Sequence, residues 1–194
     1  MFKVVSHTRS GMHLMCKLLH QNFDTGMKRY EDLDFSHTRV PTDGLRIHVE
    51  RKLYGVALSM WYVRDHLGYD RNVSFSDFIR RPLESLYNAM DCEVVYNGKH
   101  LNKICPMKDA VGTLPQRWLD YVRVFRRGCM LTVEYEDLVS SPYRVMKLVS
   151  TSFALDRKQF SPVHDLVGWQ PVKYGYPEIT EDDAAYLESF QCQL

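Results

Sequence analysis

The sequence holds no apolar run approaching the roughly 20 residues that a membrane-spanning helix needs, so no bilayer association is expected. Its cysteines, Cys16, Cys92, Cys105, Cys129 and Cys192, are odd in number, scattered and without CxxC spacing. That argues against a disulfide framework or a structural zinc site and fits a reducing compartment. Charge of one sign is also lacking. The formal net charge is +1, which excludes a general basic footprint for nucleic acid and leaves only local basic patches. Neither GxxxxGK[ST] nor GxGxxG occurs, so the standard triphosphate and dinucleotide loops are absent. There is no internal repeat and no low-complexity linker. Met1 leads directly into a strand-like segment with no leader pattern, so the expectation is a cytoplasmic protein. What is there is an ordinary globular composition, 45% apolar in 194 residues, enough to bury a core; residues 1–194 read as a single domain.

The apolar spacing alternates between strand and helix. Phe2 to Val5 reads as a short buried strand, and Gly11 to Asn22 places Leu14, Leu18 and Leu19 on one helical face. Leu33 to His37 is a second strand, stopped by the turn cluster "VPTDG", and "LRIHVE" is a third. Tyr54 to Leu67 has helical spacing, and Ser74 is an N-cap for "FSDFIRR". "EVVYNGKHLNKI" suggests a hairpin around Asn97-Gly98. Leu114 to Phe125 reads as helix, "CMLTVEY" as the fourth clear strand, and Ser141-Pro142 as a helix start. Thr180 caps a short acidic helix at the end. Strands alternating with helices imply an α/β, three-layer architecture with a mostly parallel central sheet flanked by helices. Ligands of such sheets sit at the carboxyl ends of strands.

One such end is "SHTRSGMHL", a turn directly before a helix. A helix N-terminus presents unpaired N–H groups and partial positive charge. Gly11 allows close backbone approach, Ser10 adds a hydroxyl and Arg9 a fixed cation. The combination suits a phosphate or sulfate; the plain alternative is a strand-to-helix turn with an exposed arginine.

Further segments bear on that choice. "SHTRSGMHL" resembles the phosphosulfate-binding loop of the sulfotransferase superfamily. "IHVERKLYGVALSMW" is similar to the family segment whose arginine and serine contact the donor's 3′-phosphate, and Arg51 and Ser59 keep that eight-residue offset. "FSHTRVP" resembles the strand end that carries the catalytic histidine, here His37. "VSFSDFIRR" and "LTVEYEDLVSSPYRVMKLVSTSFAL" resemble two later motifs, in the family's order. The resemblance covers most of residues 2–155. It implies a P-loop-like sulfotransferase fold and the donor 3′-phosphoadenosine 5′-phosphosulfate, with 3′-phosphoadenosine 5′-phosphate as product and no metal. The implied donor-binding residues are Arg9, Ser10, Gly11, Met12, His13, Leu14, Arg51 and Ser59, with Tyr135 at a position whose ring contacts adenine in part of the family. Arg9 would also stabilise the leaving phosphate oxygen, and His37 would act as general base, the side chain best suited to accept a proton near neutral pH.

The sequence departs from the family pattern where Met12 and His13 replace the hydroxyl residues after glycine and Leu14 replaces tryptophan. A C-terminal donor-binding segment has only "PVKYGY", with Lys173 and Gly175, as a candidate. The chain is shorter than most members, which suits a large acceptor such as a glycan or peptide, met through a hydroxyl or amine; no nucleic acid or membrane partner is expected. Two other readings stay open: a P-loop kinase of nucleosides or small metabolites, and a non-catalytic nucleotide-binding module on the same fold. Among neighbouring residues, Arg51 could instead pair with Glu50 or Asp65, Glu136 and Asp137 read as organisers of their turn, Trp61 and Trp118 as core, and His7 and His13 as supporting donors or bystanders.

Overall fold

The computed structural model describes residues 1–7, 9–36, 41–62, 64, 72–82, 94–96, 99–101, 112–162 and 177–194. In chain order the elements begin with β1 (Phe2–Ser6), α1 (Met12–Asn22), a 3-10 turn (Tyr30–Asp32), β2 (Asp34–Ser36), β3 (Leu45–Glu50), α2 (Leu53–Trp61) and α3 (Phe75–Arg80). They continue with β4 (Val94–Tyr96), β5 (Lys99–Leu101), α4 (Leu114–Gly128), β6 (Leu131–Glu134), α5 (Tyr135–Ser140), α6 (Pro142–Phe153) and α7 (Glu181–Gln191). Among the described residues no helix is long and apolar enough to cross a membrane. The chain divides into two compact units, Met1–Lys52 with Tyr121–Trp169, and Leu53–Asp120 with Gln170–Leu194.

The first unit is α/β, built on a four-stranded, all-parallel sheet flanked by helices, in the order β2-β1-β3-β6. Val4 pairs with Phe35 on one side and Ile47 on the other, and Val49 pairs with Val133. Because side chains alternate along a strand, this register puts Phe2, Val4, Phe35, Ile47, Val49 and Val133 on one face. Against that face α1 lays Leu14, Met15, Leu18 and Leu19, and α6 lays Val145, Met146 and Val149. Each fully buried leucine stabilises by roughly 1.5–3 kcal/mol, so this apolar layer is the main reason the sheet and helices stay together. The end of α1 is fixed by a polar clamp. The buried Asn22 side chain donates to the carbonyls of Leu18 (2.9 Å) and Ser161 (3.0 Å) and accepts from the N–H of Ser161 (2.9 Å).

The opposite sheet face carries polar residues, and residues 121–128 of α4 cover it. His48 lies 5.4 Å from the Phe125 ring, and His7 stands edge-on to Tyr121 at 5.9 Å. Glu50 is held by Arg126 through two hydrogen bonds, Nε to Oε2 at 2.7 Å and Nη2 to Oε1 at 2.8 Å. The partner of Glu50 is therefore Arg126, not Arg51.

In the second unit, α2 buries Leu53, Val56, Ala57, Met60 and Trp61, α3 buries Phe75, Phe78 and Ile79, and α4 buries Leu114, Trp118 and Leu119. Trp61 and Trp118 are core residues, as expected. Ser74 caps α3, its hydroxyl accepting the N–H of Asp77 at 3.0 Å. Thr180 and Asp183 close a capping box at the start of α7. Asp183 is also paired with Arg80, which lies over the Tyr186 ring at 4.7 Å. Gln191, at the other end of α7, accepts the N–H of Leu53 at 2.9 Å. β4 and β5 pair antiparallel with Tyr96 opposite Lys99, the hairpin register expected around Asn97-Gly98.

Three local expectations change. The helix read over residues 54–67 is described from Leu53 to Trp61, and residues 65–71 lie outside the described set. β6 stops at Glu134, and Tyr135 opens a helix instead of ending the strand. Ser141 precedes α6 but makes no side-chain cap; the start is set by Pro142 in the first turn, where its missing N–H costs nothing.

Candidate anion-binding site

The carboxyl end of β1 passes through His7 and returns at Ser10, whose N–H donates to the His7 carbonyl at 3.2 Å. Arg9 has φ 69° and Gly11 φ 87°, both in the left-handed region. For arginine that conformation is strained, of order 1–3 kcal/mol, and such strain concentrates where a backbone is shaped for a ligand. Gly11 is the N-cap of α1 and, having no side chain, makes no side-chain cap hydrogen bond. The first N–H groups of an α-helix have no intrahelical partner, so α1 presents donors and partial positive charge at the loop. Ser10 is buried, and its hydroxyl has no hydrogen-bond partner among the described residues.

The residues after Gly11 divide by function. Met12 and Leu14 are buried in the apolar core, so each can offer a ligand only its main-chain N–H. His13 is exposed, its ring edge-on to Phe35 at 5.3 Å and to Tyr30 at 6.4 Å. Of the three, only His13 has a side chain at the surface.

Arg51 follows the last residue of β3 and reaches the loop. Its Nη1 donates to the Arg9 carbonyl at 3.0 Å, and its guanidinium lies 4.5 Å from the centre of the Tyr135 ring. Tyr135 in turn packs on Gly11. Burial, and then the like charge of Arg51, lower the Arg9 guanidinium from its ordinary value. Two cations that repel each other beside an uncapped helix start form a local field that an anion would relieve. Glu136, next to Tyr135, accepts the N–H of Lys52 at 3.4 Å through Oε1 and so ties the α5 start to the segment after β3. Its other carboxylate oxygen is buried with no hydrogen-bond partner among the described residues.

Arg9, Ser10, Gly11, Arg51 and Tyr135 thus come together in the first unit, with Met12, His13 and Leu14 in the adjoining helical turn. Ser59 is half-buried on α2 and belongs to the second unit. His37, Lys173 and Gly175 lie outside the described residues; β2 ends at Ser36, opposite Val5 of β1. Among the described residues no three His, Cys, Asp or Glu side chains form a group able to hold a metal ion.

Behind the loop, a buried histidine lay outside the sequence reading. His48 is fully buried with neither ring nitrogen hydrogen-bonded among the described residues. Burial first, then the charges of Arg126 and His7, push its pKa down to about 3. It is a neutral imidazole in the wall under the loop. Its only sequence signal was a polar residue inside the strand pattern "LRIHVE". No protein-family model matches the chain, and no curated protein matches it.

Proposed function

We propose that this chain is a small sulfotransferase of P-loop-like fold. It binds 3′-phosphoadenosine 5′-phosphosulfate at the loop after β1 and passes the sulfuryl group to the hydroxyl or amine of an acceptor. The observation that carries this reading is the meeting of two arginines, Arg9 and Arg51, at an uncapped helix start shaped by a left-handed glycine. The unpartnered Ser10 hydroxyl fits the same group, since buried polar groups left unsatisfied cost roughly 1–3 kcal/mol unless a ligand or water completes them.

When bound, the donor supplies an activated sulfuryl group on a phosphate able to leave. The N–H groups at the start of α1 and the Ser10 hydroxyl hold the phosphate oxygens. Arg9 is a cation fixed beside them, placed to neutralise charge as it builds on the leaving oxygen, the form of catalysis that relies on preset electrostatics. Arg51 reads the second phosphate of the nucleotide. His37 is given the general base's part by the resemblance: it takes the acceptor's proton as the acceptor attacks sulfur. The acceptor proposed is a glycan or peptide met through a hydroxyl or amine.

The burial of Met12 and Leu14 in the core favours one second reading, a nucleotide-binding module that keeps the loop and has lost turnover. Incubation with labelled donor and a panel of glycan, peptide and phenolic acceptors separates the two. Transfer that His37→Ala abolishes while 3′-phosphoadenosine 5′-phosphate still binds supports the enzyme. Nucleotide binding without transfer to any acceptor supports the module, and transfer undiminished in His37→Ala removes His37 as the base.

A further inference from the structure

Tyr135 opens α5 directly after β6, two places from β1 in the sheet order. Between β6 and β1 lies β3, and the residue after β3 is Arg51. The Tyr135 ring therefore spans the carboxyl ends of three strands. Its edge is filled by the loop: a methyl group at Gly11 would stand 2.6 Å from Cε2 and nearer still to Cδ2. One face is covered by the Arg51 guanidinium at 4.5 Å. That guanidinium is held from another direction by the Arg9 carbonyl, which accepts from Nη1 at 3.0 Å. Arginine on a flexible stem is a poor reader of a single phosphate unless something fixes the plane of its head.

We infer that Tyr135 is a positioning residue. It props the loop at Gly11 and fixes Arg51 in the orientation that selects a nucleotide carrying a 3′-phosphate, and it is not the platform on which adenine stacks. The inference rests on the sulfotransferase reading above. The phenol hydroxyl plays no part in either contact; the ring does the work.

The test is calorimetric titration of the full chain with 3′-phosphoadenosine 5′-phosphate and with adenosine 5′-phosphate, which lacks the 3′ group. Wild type binds the first more tightly. Tyr135→Phe keeps the preference to within about twofold, and Tyr135→Leu lowers it by roughly tenfold because the bisphosphate loses more affinity than adenosine 5′-phosphate, the scale of a desolvated cation–π contact. Tyr135→Met, close to leucine in volume and also without a π face, repeats the measurement, and a urea midpoint for each variant separates the effect from simple unfolding. Adding Tyr135→Leu to Arg51→Ala lowers the preference no further. A preference left unchanged in the Leu and Met variants, whether both nucleotides weaken equally through the adenine or the loop or neither weakens, would remove the ring's hold on Arg51; that result overturns the inference while leaving the sulfotransferase reading intact. Failure of wild type to bind either nucleotide overturns that reading, and this one with it.

Discussion

Gly11 answers to two demands at once: a left-handed backbone and the ring of Tyr135 against its α-carbon. Gly11→Ala should therefore destabilise the protein by at least about 1–3 kcal/mol from backbone strain alone, read as a lower urea midpoint; an unchanged midpoint would show that the turn relaxes freely. His48 makes a different prediction. Its folded pKa of about 3 lies below the ordinary value of 6.5, so the unfolded chain takes up the proton first as pH falls. The stability its neutral form contributes is complete above pH 6.5 and is lost progressively toward pH 3, at about 1.4 kcal/mol per unit. Replacing it by leucine strands no hydrogen bond that the described residues supply. The gap in unfolding free energy between wild type and His48→Leu should thus change steadily in the variant's favour from pH 6.5 to 4. A gap constant over that range would mean the imidazole is hydrated in the fold.

At the scale of elements, α7 is held in the second unit by its ends. Burial alone would raise the Asp183 carboxyl, but hydrogen bonds from Arg80, Thr180 and Ser76 outweigh it and hold the pKa down at about 2. Asp183 thus stabilises above the ordinary carboxylate value of 3.8, and that contribution disappears as pH falls through 2. Asp183→Ala breaks the capping box and leaves Arg80 without this partner, at a cost of about 2 kcal/mol or more at neutral pH. Thr180→Ala, which removes only the cap, should cost about 1 kcal/mol. Equal losses for the two variants, measured by chemical unfolding, would show that the ion pair contributes nothing. The α7 cap was legible because Thr180 and Asp183 are three residues apart; the pairing with Arg80 was not, because it joins residues 103 positions apart. The same holds for Glu50, whose partner Arg126 is 76 positions away, while the sequence offered Arg51 beside it.

At the scale of the whole molecule, the order of strands and helices was readable because short apolar runs such as Phe2–Ser6 give way to helical spacing such as Met12–Asn22. The loop between them was readable for the same reason. Sheet order was not, and it alone brings Tyr135 over to Gly11 and Arg51. Ser59 is paired with Arg51 by their eight-residue spacing, and it lies on α2 in the second compact unit. Thermal unfolding reads the account globally. At a hundredfold excess over its dissociation constant, 3′-phosphoadenosine 5′-phosphate should add about 2.7 kcal/mol of stability, with chelator present, and Mg-ATP should add far less. Stabilisation by Mg-ATP alone would favour a kinase.

The most direct measurement is a crystal structure of the chain soaked with 3′-phosphoadenosine 5′-phosphate. The 5′-phosphate should lie on the first N–H groups of α1 beside Arg9, and the 3′-phosphate on Arg51. A nucleotide bound elsewhere, or a loop whose donors stay filled by the protein's own side chains, would contradict it.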